Sequence, residues 1–218
     1  SARIDPLGQV ESFLLKSSGR ELAAGPMNRL RLFKDIPRHF DAWDIDAGYR
    51  EMELEGVRDI RLEKVSEGLE AVLAVSGKIG NSSFTQTIRL AAGQERLEFH
   101  TRILWQELHR LLKTAFPVKV HAETARNEIQ FGFVERPTHW NTSWDWARFE
   151  VCGHKWADLS ESNYGVSLLN DCKYGYGIKD NVMGLSLLKS AKSPDTEADM
   201  GEHFFTYALL PHAGGLGE

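Results

Sequence analysis

Apolar and polar residues alternate with a period of two along much of this chain, and this pattern restricts the fold more than any other feature. Residues 52–55, 60–65 and 84–90 alternate in this way, and residues 70–79 and 96–105 are longer candidate strands. Successive side chains of a β-strand point to opposite faces of its sheet, so a half-buried strand alternates. The sequence therefore predicts an all-β protein.

Candidate strands recur every 10 to 15 residues with turn residues between them, which is typical of a large antiparallel β-sandwich. Helical periodicity is scarce, although residues 104–113 are predicted to form a turn or two of helix. Residues 136–137 and 193–199 are predicted loops, because proline removes a donor from a strand ladder. The later candidate strands are residues 115–120, 128–134, 148–151, 165–169, 182–188 and 203–209.

No internal repeat, low-complexity tract or flexible linker divides the sequence. We therefore expect residues 1–218 to form a single domain of two large stacked sheets with few short helices. The chain opens without an initiator Met, as expected for a fragment or a processed chain.

The net charge and the cysteine content exclude several classes of partner. The formal charge is −5 and no basic run is present, which argues against a nucleic-acid or anionic-membrane partner. No apolar run approaches the roughly 18 residues of a membrane span. Two scattered cysteines, Cys152 and Cys172, fit a reducing compartment better than a disulfide framework. A soluble, cytoplasmic protein is predicted.

The common cofactor and metal motifs are missing from this sequence. It contains no GxGxxG, P-loop or HExxH motif and no CxxC pair, and no two of its eight histidines stand at a short ligand spacing. Each histidine is predicted to be a surface or structural residue. We therefore predict no cofactor and no metal ligand within these residues.

Three polar clusters could contact a ligand. Residues 35–46 hold four Asp and Trp43, which could bind sugar through carboxylates and an aromatic face, or could form an acidic loop whose Asp side chains cap turns. The tryptophans of residues 138–146 form a sugar platform or pack one end of the sandwich. Residues 170–177 could orient a hydroxylated ligand, or could be a tight hairpin with a local ion pair.

The catalytic groups of an enzyme cannot be nominated from these clusters. Glycoside hydrolysis needs two carboxyl groups at a defined separation, and thirty-one acidic residues offer too many pairs. Cys172 has no adjacent base in the sequence, so a nucleophilic role is not predicted for it.

At these clusters the sequence resembles the family 38 glycoside hydrolases, in particular the cytosolic and bacterial α-mannosidases. The likeness covers nearly the whole chain. Its segments are residues 41–46, 136–160, 169–175, 185–188, 194–195 and 205–212. The resemblance implies a chain built of an N-terminal β/α barrel, a helical bundle and large β-domains. These residues resemble the major β-domain, a supersandwich similar to galactose mutarotase.

The resemblance also implies where the chemistry takes place. Family members are retaining enzymes that bind one zinc ion and carry their nucleophile, an Asp, on the barrel. Because the barrel is not among these residues, no catalytic or zinc-binding residue can be transferred to this sequence. The isolated chain is expected to be inactive, with zinc in the full-length enzyme.

The resemblance implies that this chain supports the substrate site without supplying the catalytic residues. Lys189 stands where relatives usually have Arg, and an ammonium lacks the planar fork of a guanidinium. Gln106 stands where close relatives tend to have His, although Trp105, Glu107 and His109 match. The predicted substrate contacts are Trp43, Asp44, Asp171, Lys173, Tyr174 and Lys189.

The predicted partners are an α-mannoside or oligosaccharide substrate and the N-terminal barrel of the same chain, with homo-oligomers possible through exposed edges or patches. Two alternative functions stay open at this point. One is a carbohydrate-binding module that grips sugar without chemistry. The other is an aldose epimerase-like enzyme, because the supersandwich also hosts that activity.

Overall fold

The computed structural model describes residues 1–215, which form seventeen strands, a 3₁₀ helix at Ala47–Glu51 and a short α-helix, α1, at Ser143–Trp146. The strands are β1 (Ala2–Ile4), β2 (Val10–Leu15), β3 (Arg20–Glu21), β4 (Arg29–Lys34), β5 (Arg58–Ser66), β6 (Glu70–Ile79), β7 (Ser82–Ala91), β8 (Leu97–Trp105), β9 (Arg110–Pro117), β10 (Thr124–Ile129), β11 (Gly132–Pro137), β12 (Val151–Cys152), β13 (Trp156–Ser160), β14 (Tyr164–Asn170), β15 (Gly175–Lys179), β16 (Val182–Lys189) and β17 (Gly201–Ala213). No helix of this part of the chain is long and apolar enough to cross a membrane.

The strands form three antiparallel sheets. The largest has nine strands in the order β11-β10-β13-β14-β17-β8-β7-β6-β5, and the second has five in the order β12-β15-β16-β9-β4. Strands β1, β2 and β3 form a small third sheet. The predicted all-β antiparallel sandwich with few short helices is confirmed.

One hydrophobic core lies between the two large sheets, built from the inward residues of both. Three aromatic rings join the sheets at its centre. The Phe99 ring, on β8, lies 5.8 Å from the Phe116 ring on β9 and 5.2 Å from the Tyr207 ring on β17. Large aromatic side chains bury the most apolar area per residue, so this trio is a major contact between the sheets.

A closed group of polar side chains is buried beside these rings. The Tyr207 hydroxyl donates to Asn28 Oδ1 at 2.7 Å and accepts from Gln86 Nε2 at 2.8 Å. Gln86 also donates to Thr101 Oγ1 at 2.8 Å and accepts from Asn28 Nδ2 at 2.6 Å. Because these bonds require one relative position of the sheets, the group favours a single alignment of them.

Several predicted elements were wrong, each for a local reason. Residues 104–113 form no helix, because the chain passes from β8 in one sheet to β9 in the other and turns at His109, whose φ is +51°. Residues 128–134 span the turn of the β10–β11 hairpin, where Phe131, and not the Gly132 that follows it, takes the left-handed φ of +64°. The predicted loop at 136–137 is the end of β11.

Other predictions differ from the structure at their ends or in extent. Residues 70–79 are β6, as predicted, and residues 193–199 are a loop. Residues 52–55 make only one isolated bridge, between Glu53 and Phe33. Residues 115–120 and 148–151 each overlap a strand only in part. The strands β2, β3, β4, β13 and β15 were not predicted.

Candidate functional site

The candidate site lies on the outer face of the five-stranded sheet, the face turned away from the nine-stranded sheet. Along β9, Leu112 and Phe116 enter the main core, whereas Leu111 packs outside it with Phe33 and Tyr49. The alternation of the strand thus places Leu111 and Lys113 on the outer face. The segments 35–51 and 138–150 contribute residues to this face.

A β-bulge in β16 puts Lys189 on the same face. Ser186 pairs with Lys113 and Lys189 pairs with Leu111, with one extra residue between them in β16. Both Leu187 and Leu188 are therefore buried in the core, and the next residue points outward. Without the bulge, alternation would have turned Lys189 towards the core.

A groove of about 500 Å³ opens on this face, here called the Trp43 groove. Four of the six predicted contacts line it: Trp43, Lys173, Tyr174 and Lys189. Trp43 is 75% exposed and Tyr174 59% exposed, so both present aromatic surface to solvent at the groove. The rest of the lining includes Leu111, Glu150, Ser186 and both cysteines.

The other two predicted contacts, Asp44 and Asp171, do not line this groove. The Asp171 carboxylate accepts from the Thr206 amide at 2.9 Å, which ties the loop after β14 to β17. The Asp44 carboxylate accepts from the amide of Ile45 at 3.0 Å. Both carboxylates accept from backbone amides, and for Asp44 this is the turn-capping alternative predicted for residues 35–46.

Lys189 is held by a buried carboxylate. Its ammonium donates to Oδ2 of Asp35, and the Asp35 residue is only 2% exposed. Burial raises the pKa of Asp35, and the hydrogen bond and charge of Lys189 offset this only in part. Oδ1 of Asp35 is buried without a hydrogen-bond partner in the described chain.

Asp41 anchors the loop that follows Asp35. Its Oδ2 lies 3.0 Å from Nε2 of His109 and accepts from the Lys192 amide at 2.8 Å. Burial raises the pKa of Asp41, but these two hydrogen bonds outweigh it and hold the pKa below its ordinary value. The Asp41 carboxylate therefore stays ionised and keeps the loop against the end of β16.

Lys173 and Cys172 form another part of the groove. The Lys173 ammonium lies 4.5 Å from the centre of the Phe205 ring, and burial lowers its pKa. Burial and a hydrogen bond with Asp171 raise the pKa of the Cys172 thiol. A raised pKa disfavours the thiolate, so this cysteine is poorly suited to nucleophilic attack.

A second groove of about 310 Å³ adjoins the first, and Glu150 lines both. Lys113 donates to both carboxylate oxygens of Glu150 at 2.7 Å and to Ser186 Oγ at 2.9 Å. The Tyr49 hydroxyl donates to Glu150 Oε1 at 2.5 Å, and an Arg50 nitrogen lies 3.8 Å from that oxygen. The carboxylate is therefore saturated with donors.

Sequence reasoning missed this ion pair, although one signal for it was present. Lys113 lies within the largely apolar segment 111–116, in which Thr114 is the other polar residue, so a buried strand there predicts a buried cation. A buried lysine requires a carboxylate partner. Which carboxylate it would find could not be read from the sequence, since Glu150 follows 37 residues later.

The tryptophan cluster divides into two kinds of residue. The Arg50 guanidinium lies 4.3 Å and the Lys179 ammonium 4.9 Å from the Trp140 ring centre. Trp144 and Trp146 lie on α1 and are 77% and 51% exposed. The prediction that these two tryptophans pack against one end of the sandwich is therefore wrong.

With this geometry in place, comparison with known proteins identifies the family. The sequence model described as glycosyl hydrolases family 38 C-terminal domain matches residues 1–197. The chain belongs to this family. Its fold agrees with two solved structures: an α-mannosidase from Enterococcus faecalis V583 (TM-score 0.81, 15% identity, covering 98% of this chain and 28% of that one) and an α-N-acetylgalactosaminidase from Bifidobacterium bifidum (TM-score 0.54, 11% identity, covering 97% and 35%).

Curated relatives of this family 38 domain are α-mannosidases. Alpha-mannosidase 2C1 of Homo sapiens is 44% identical over 231 residues, covering 98% of this chain and 21% of the relative. Alpha-mannosidase G of Dictyostelium discoideum is 45% identical over 225 residues, covering 96% and 20%. The chain thus spans about one-fifth of the length of these relatives.

The residues of this family 38 domain do not fit a zinc site. Nowhere in residues 1–215 do three or more His, Cys, Asp or Glu side chains come together in an arrangement that could hold a metal ion. Protein zinc sites take at least three such ligands. Glu150, which lines both grooves, is bound instead by Lys113, and the buried Asp35 is bound by Lys189.

The residues matched around Gln106 have structural partners. The Trp105 indole donates to Ser190 Oγ at 2.6 Å, and Glu107 accepts from the Asn81 amide at 2.5 Å. His109 contacts Asp41, as described above. Gln106 itself is exposed, so these buried contacts do not depend on which residue stands at that position.

Proposed function

We propose that this chain is the C-terminal β-domain of a retaining, zinc-dependent α-mannosidase, whose catalytic residues lie on an N-terminal barrel. In that enzyme the domain supports the active site and forms part of its wall. The observation that carries the proposal is the Trp43 groove, in which Trp43, Lys173, Tyr174 and Lys189 meet on one face of a family 38 domain.

The lining of the groove suits a saccharide. The exposed face of Trp43 can cover the C–H groups of a pyranose ring, while ammonium groups donate to its hydroxyl oxygens. Lys173 and Lys189 supply two such ammonium groups in the same groove. The substrate is an α-mannoside or an α-mannose-containing oligosaccharide, met in the cytoplasm.

The same face suits contact with the barrel. Phe40, Trp43, Trp144, Trp146 and Tyr174 are each more than half exposed. Soluble proteins that stand alone rarely leave so many large aromatic side chains in water within neighbouring loops, and such surfaces mark contact sites. The barrel of the same chain is the partner that the family implies for them.

The domain alone is expected to be inactive. A retaining glycosidase needs a nucleophilic carboxylate and a carboxylic acid, about 5 Å apart and free to reach the sugar. The groove carboxylate of Glu150 instead binds Lys113 and Tyr49, and buried Asp35 binds Lys189. Asp199 is the other carboxylate in the described lining of the groove, and it has no second free carboxylate there to form such a pair, so we expect hydrolysis to require groups from outside these residues.

The first test compares hydrolysis of an aryl α-mannoside by this chain and by a longer protein that also carries the barrel, each with and without zinc or cobalt. We expect turnover only from the longer protein. In that protein Trp43→Ala should raise KM about tenfold, since a stacked aromatic contact contributes about 1–1.5 kcal/mol. Phe131→Ala, an exposed aromatic residue at the β10–β11 turn, is the matched control.

Two outcomes would contradict the proposal. Metal-dependent turnover by the isolated chain would mean that the catalytic site is built from residues assigned here to support. An unchanged KM in Trp43→Ala, with the control also unchanged, would remove the groove from the substrate site.

A carbohydrate-binding module is the second candidate, favoured by the exposure of Trp43 and Tyr174 in a preformed groove. It predicts saturable binding of a mannose oligosaccharide by the isolated chain, measured by calorimetry. This candidate would be favoured over the enzyme domain by two results together. The isolated chain should bind the oligosaccharide with a Kd of about 1 mM or lower and lose this binding in Trp43→Ala, and the longer protein should show no hydrolysis.

A further inference from the structure

The carboxylate beneath Lys189 is the feature whose role the proposed function leaves open. Lys189 is the last residue of β16, lines the Trp43 groove and has a side chain 18% exposed. Its only described hydrogen bond is the one to Asp35 Oδ2. An ammonium group has three N–H donors, so two of them remain for other acceptors.

Lys113 and Glu150, the second buried ion pair of this face, have hydrogen-bond partners for their charged groups within the domain. Glu150 receives two bonds from Lys113 and one from Tyr49, and Lys113 also donates to Ser186. All of these groups are satisfied within the domain. Such a pair is complete without a ligand.

The Asp35–Lys189 pair, in contrast, has donors and acceptors that lack hydrogen-bond partners in the described chain. Oδ1 of Asp35 is buried without a hydrogen-bond partner among residues 1–215, and Lys189 keeps free donors at the groove. A half-satisfied buried carboxylate costs stability of about 1–3 kcal/mol, and such groups are retained where they serve another purpose. Stability alone therefore does not account for Asp35.

The backbone around the pair holds its two members in register. The Asp35 amide donates to the His109 carbonyl at 2.9 Å, and the His109 amide donates to the Ser190 carbonyl at 2.8 Å. His109 also contacts Asp41, which accepts from the Lys192 amide. The segments on either side of the ion pair are thus linked through His109, which limits movement of the carboxylate relative to Lys189.

We propose that Asp35 is a positioning residue, which fixes the Lys189 ammonium at the wall of the Trp43 groove so that its free donors face the hydroxyl groups of a saccharide. The inference rests on the proposed function, because it assumes that the groove takes the substrate. It adds a partner that acts through Lys189 and does not touch the sugar.

The test uses the longer, barrel-containing protein and a double-mutant cycle of Asp35→Asn and Lys189→Met. Each single variant should raise KM for an aryl α-mannoside or a mannose oligosaccharide about tenfold, with a smaller change in kcat. If Asp35 acts through Lys189, adding Asp35→Asn to Lys189→Met should change KM less than twofold, because coupled residues are not additive. Asp158→Asn is the control: Asp158 is equally buried and lies on β13, in the other sheet.

A pH profile gives a readout that a merely structural role would not move. The titratable groups that face Asp35 are Lys189, Asp41 and His109. Since burial raises the pKa of Asp35, acidification should neutralise it before the ordinary carboxylates and release Lys189. The wild-type KM should rise on acidification, and the Asp35→Asn KM should stay nearly flat over the same range.

The outcomes separate this inference from the proposed function. An inactive wild-type protein contradicts the proposed function itself. If the wild-type protein is active and the effects of the two substitutions on KM multiply, the positioning role alone is overturned. The same holds if either substitution leaves KM unchanged. If Asp35→Asn does not fold, Asp35→Glu takes its place in the cycle, since it keeps the charge but moves it by one methylene group.

Discussion

At the scale of single residues, Lys113 and Glu150 form the most completely bonded ion pair of the outer face. Lys113 is almost wholly buried, and burial lowers its pKa although Glu150 opposes the shift. Burial of two charges costs several kcal/mol per ion, which their attraction repays only when all remaining donors and acceptors are bonded. Ser186 and Tyr49 complete that bonding here.

This balance predicts a large asymmetry between single and double substitutions. Lys113→Met or Glu150→Gln should each lower the free energy of unfolding by about 3–5 kcal/mol, because the remaining partner is left buried and unpaired. The double variant Lys113→Met/Glu150→Met should recover most of that loss. Urea unfolding of this chain measures all three.

An exposed ion pair supplies the control for that comparison. Arg3 and Glu11 lie 3.0 Å apart with side chains at least half exposed, so Glu11→Gln should cost no more than about 1 kcal/mol. Single variants at Lys113 and Glu150 that behaved like Glu11→Gln would mean that the buried pair adds nothing to the fold.

At the scale of elements, the sequence of β15 is restricted by the side chains that pack on its outer face. Tyr176 points into the core, and the flanking Gly175 and Gly177 leave the first half of the outer face of the strand without side chains, up to Lys179. A Cβ atom on Gly177 would lie 2.5 Å from Glu150 Oε1, and one on Gly175 would lie 2.9 Å from the Ser186 Cβ. Glycine is needed here for close approach, not for turning the chain.

Gly177→Ala should therefore lower the free energy of unfolding by about 1–3 kcal/mol, the usual cost of adding a methyl group to a packed site. Gly132→Ala in β11 is the control, since no atom lies within 4 Å of its Cβ position, and we expect a change within about 0.5 kcal/mol. Equal unfolding midpoints in urea for the two variants would show that Glu150 moves aside without cost.

The elements also show how far the sequence predicts this structure. Strands β6, β14 and β16 are short apolar runs bounded by turn residues, and they were predicted within one residue at each end. The β10–β11 turn was missed because its left-handed residue is Phe131 and not a glycine. The sequence also could not place the bulge in β16, since nothing in the run of leucines marks which one is extra.

The candidate site was less predictable than the sheets, because it depends on contacts far apart in sequence. Asp35 and Lys189 are separated by 154 residues, and Tyr49 and Glu150 by 101. Resemblance to the family pointed to Lys189, whereas the acidic segment of residues 35–46 left sugar binding and turn capping by its carboxylates both open. Only the fold brings each carboxylate to its partner.

At the scale of the whole molecule, the two faces of the sandwich differ in character. Arg102 and Glu202 pair on the open face of the nine-stranded sheet, as do Arg89 and Glu70, so its polar groups are matched. The loops of the five-stranded sheet instead expose Phe40, Trp43, Trp144 and Trp146. Leu104 and Phe204 are also exposed on the nine-stranded sheet, so the difference lies in the exposed tryptophans, which in the described chain all belong to the loops beside the five-stranded sheet.

In the absence of a partner, this aromatic surface should associate with a second copy of itself. We expect the weight-average mass of the chain in sedimentation equilibrium to rise with concentration, because burying large aromatic side chains removes apolar area from water at about 25 cal/mol per Å². Trp144→Ser/Trp146→Ser should shift this association to at least tenfold higher concentration without changing the unfolding midpoint, since neither side chain is buried.

Phe131→Ser/Phe133→Ser is the control for this comparison. It removes two exposed aromatic residues from the opposite sheet and should leave association unchanged. A chain that stays monomeric at all concentrations, or one whose association responds only to the Phe131 and Phe133 changes, would place the contact surface elsewhere.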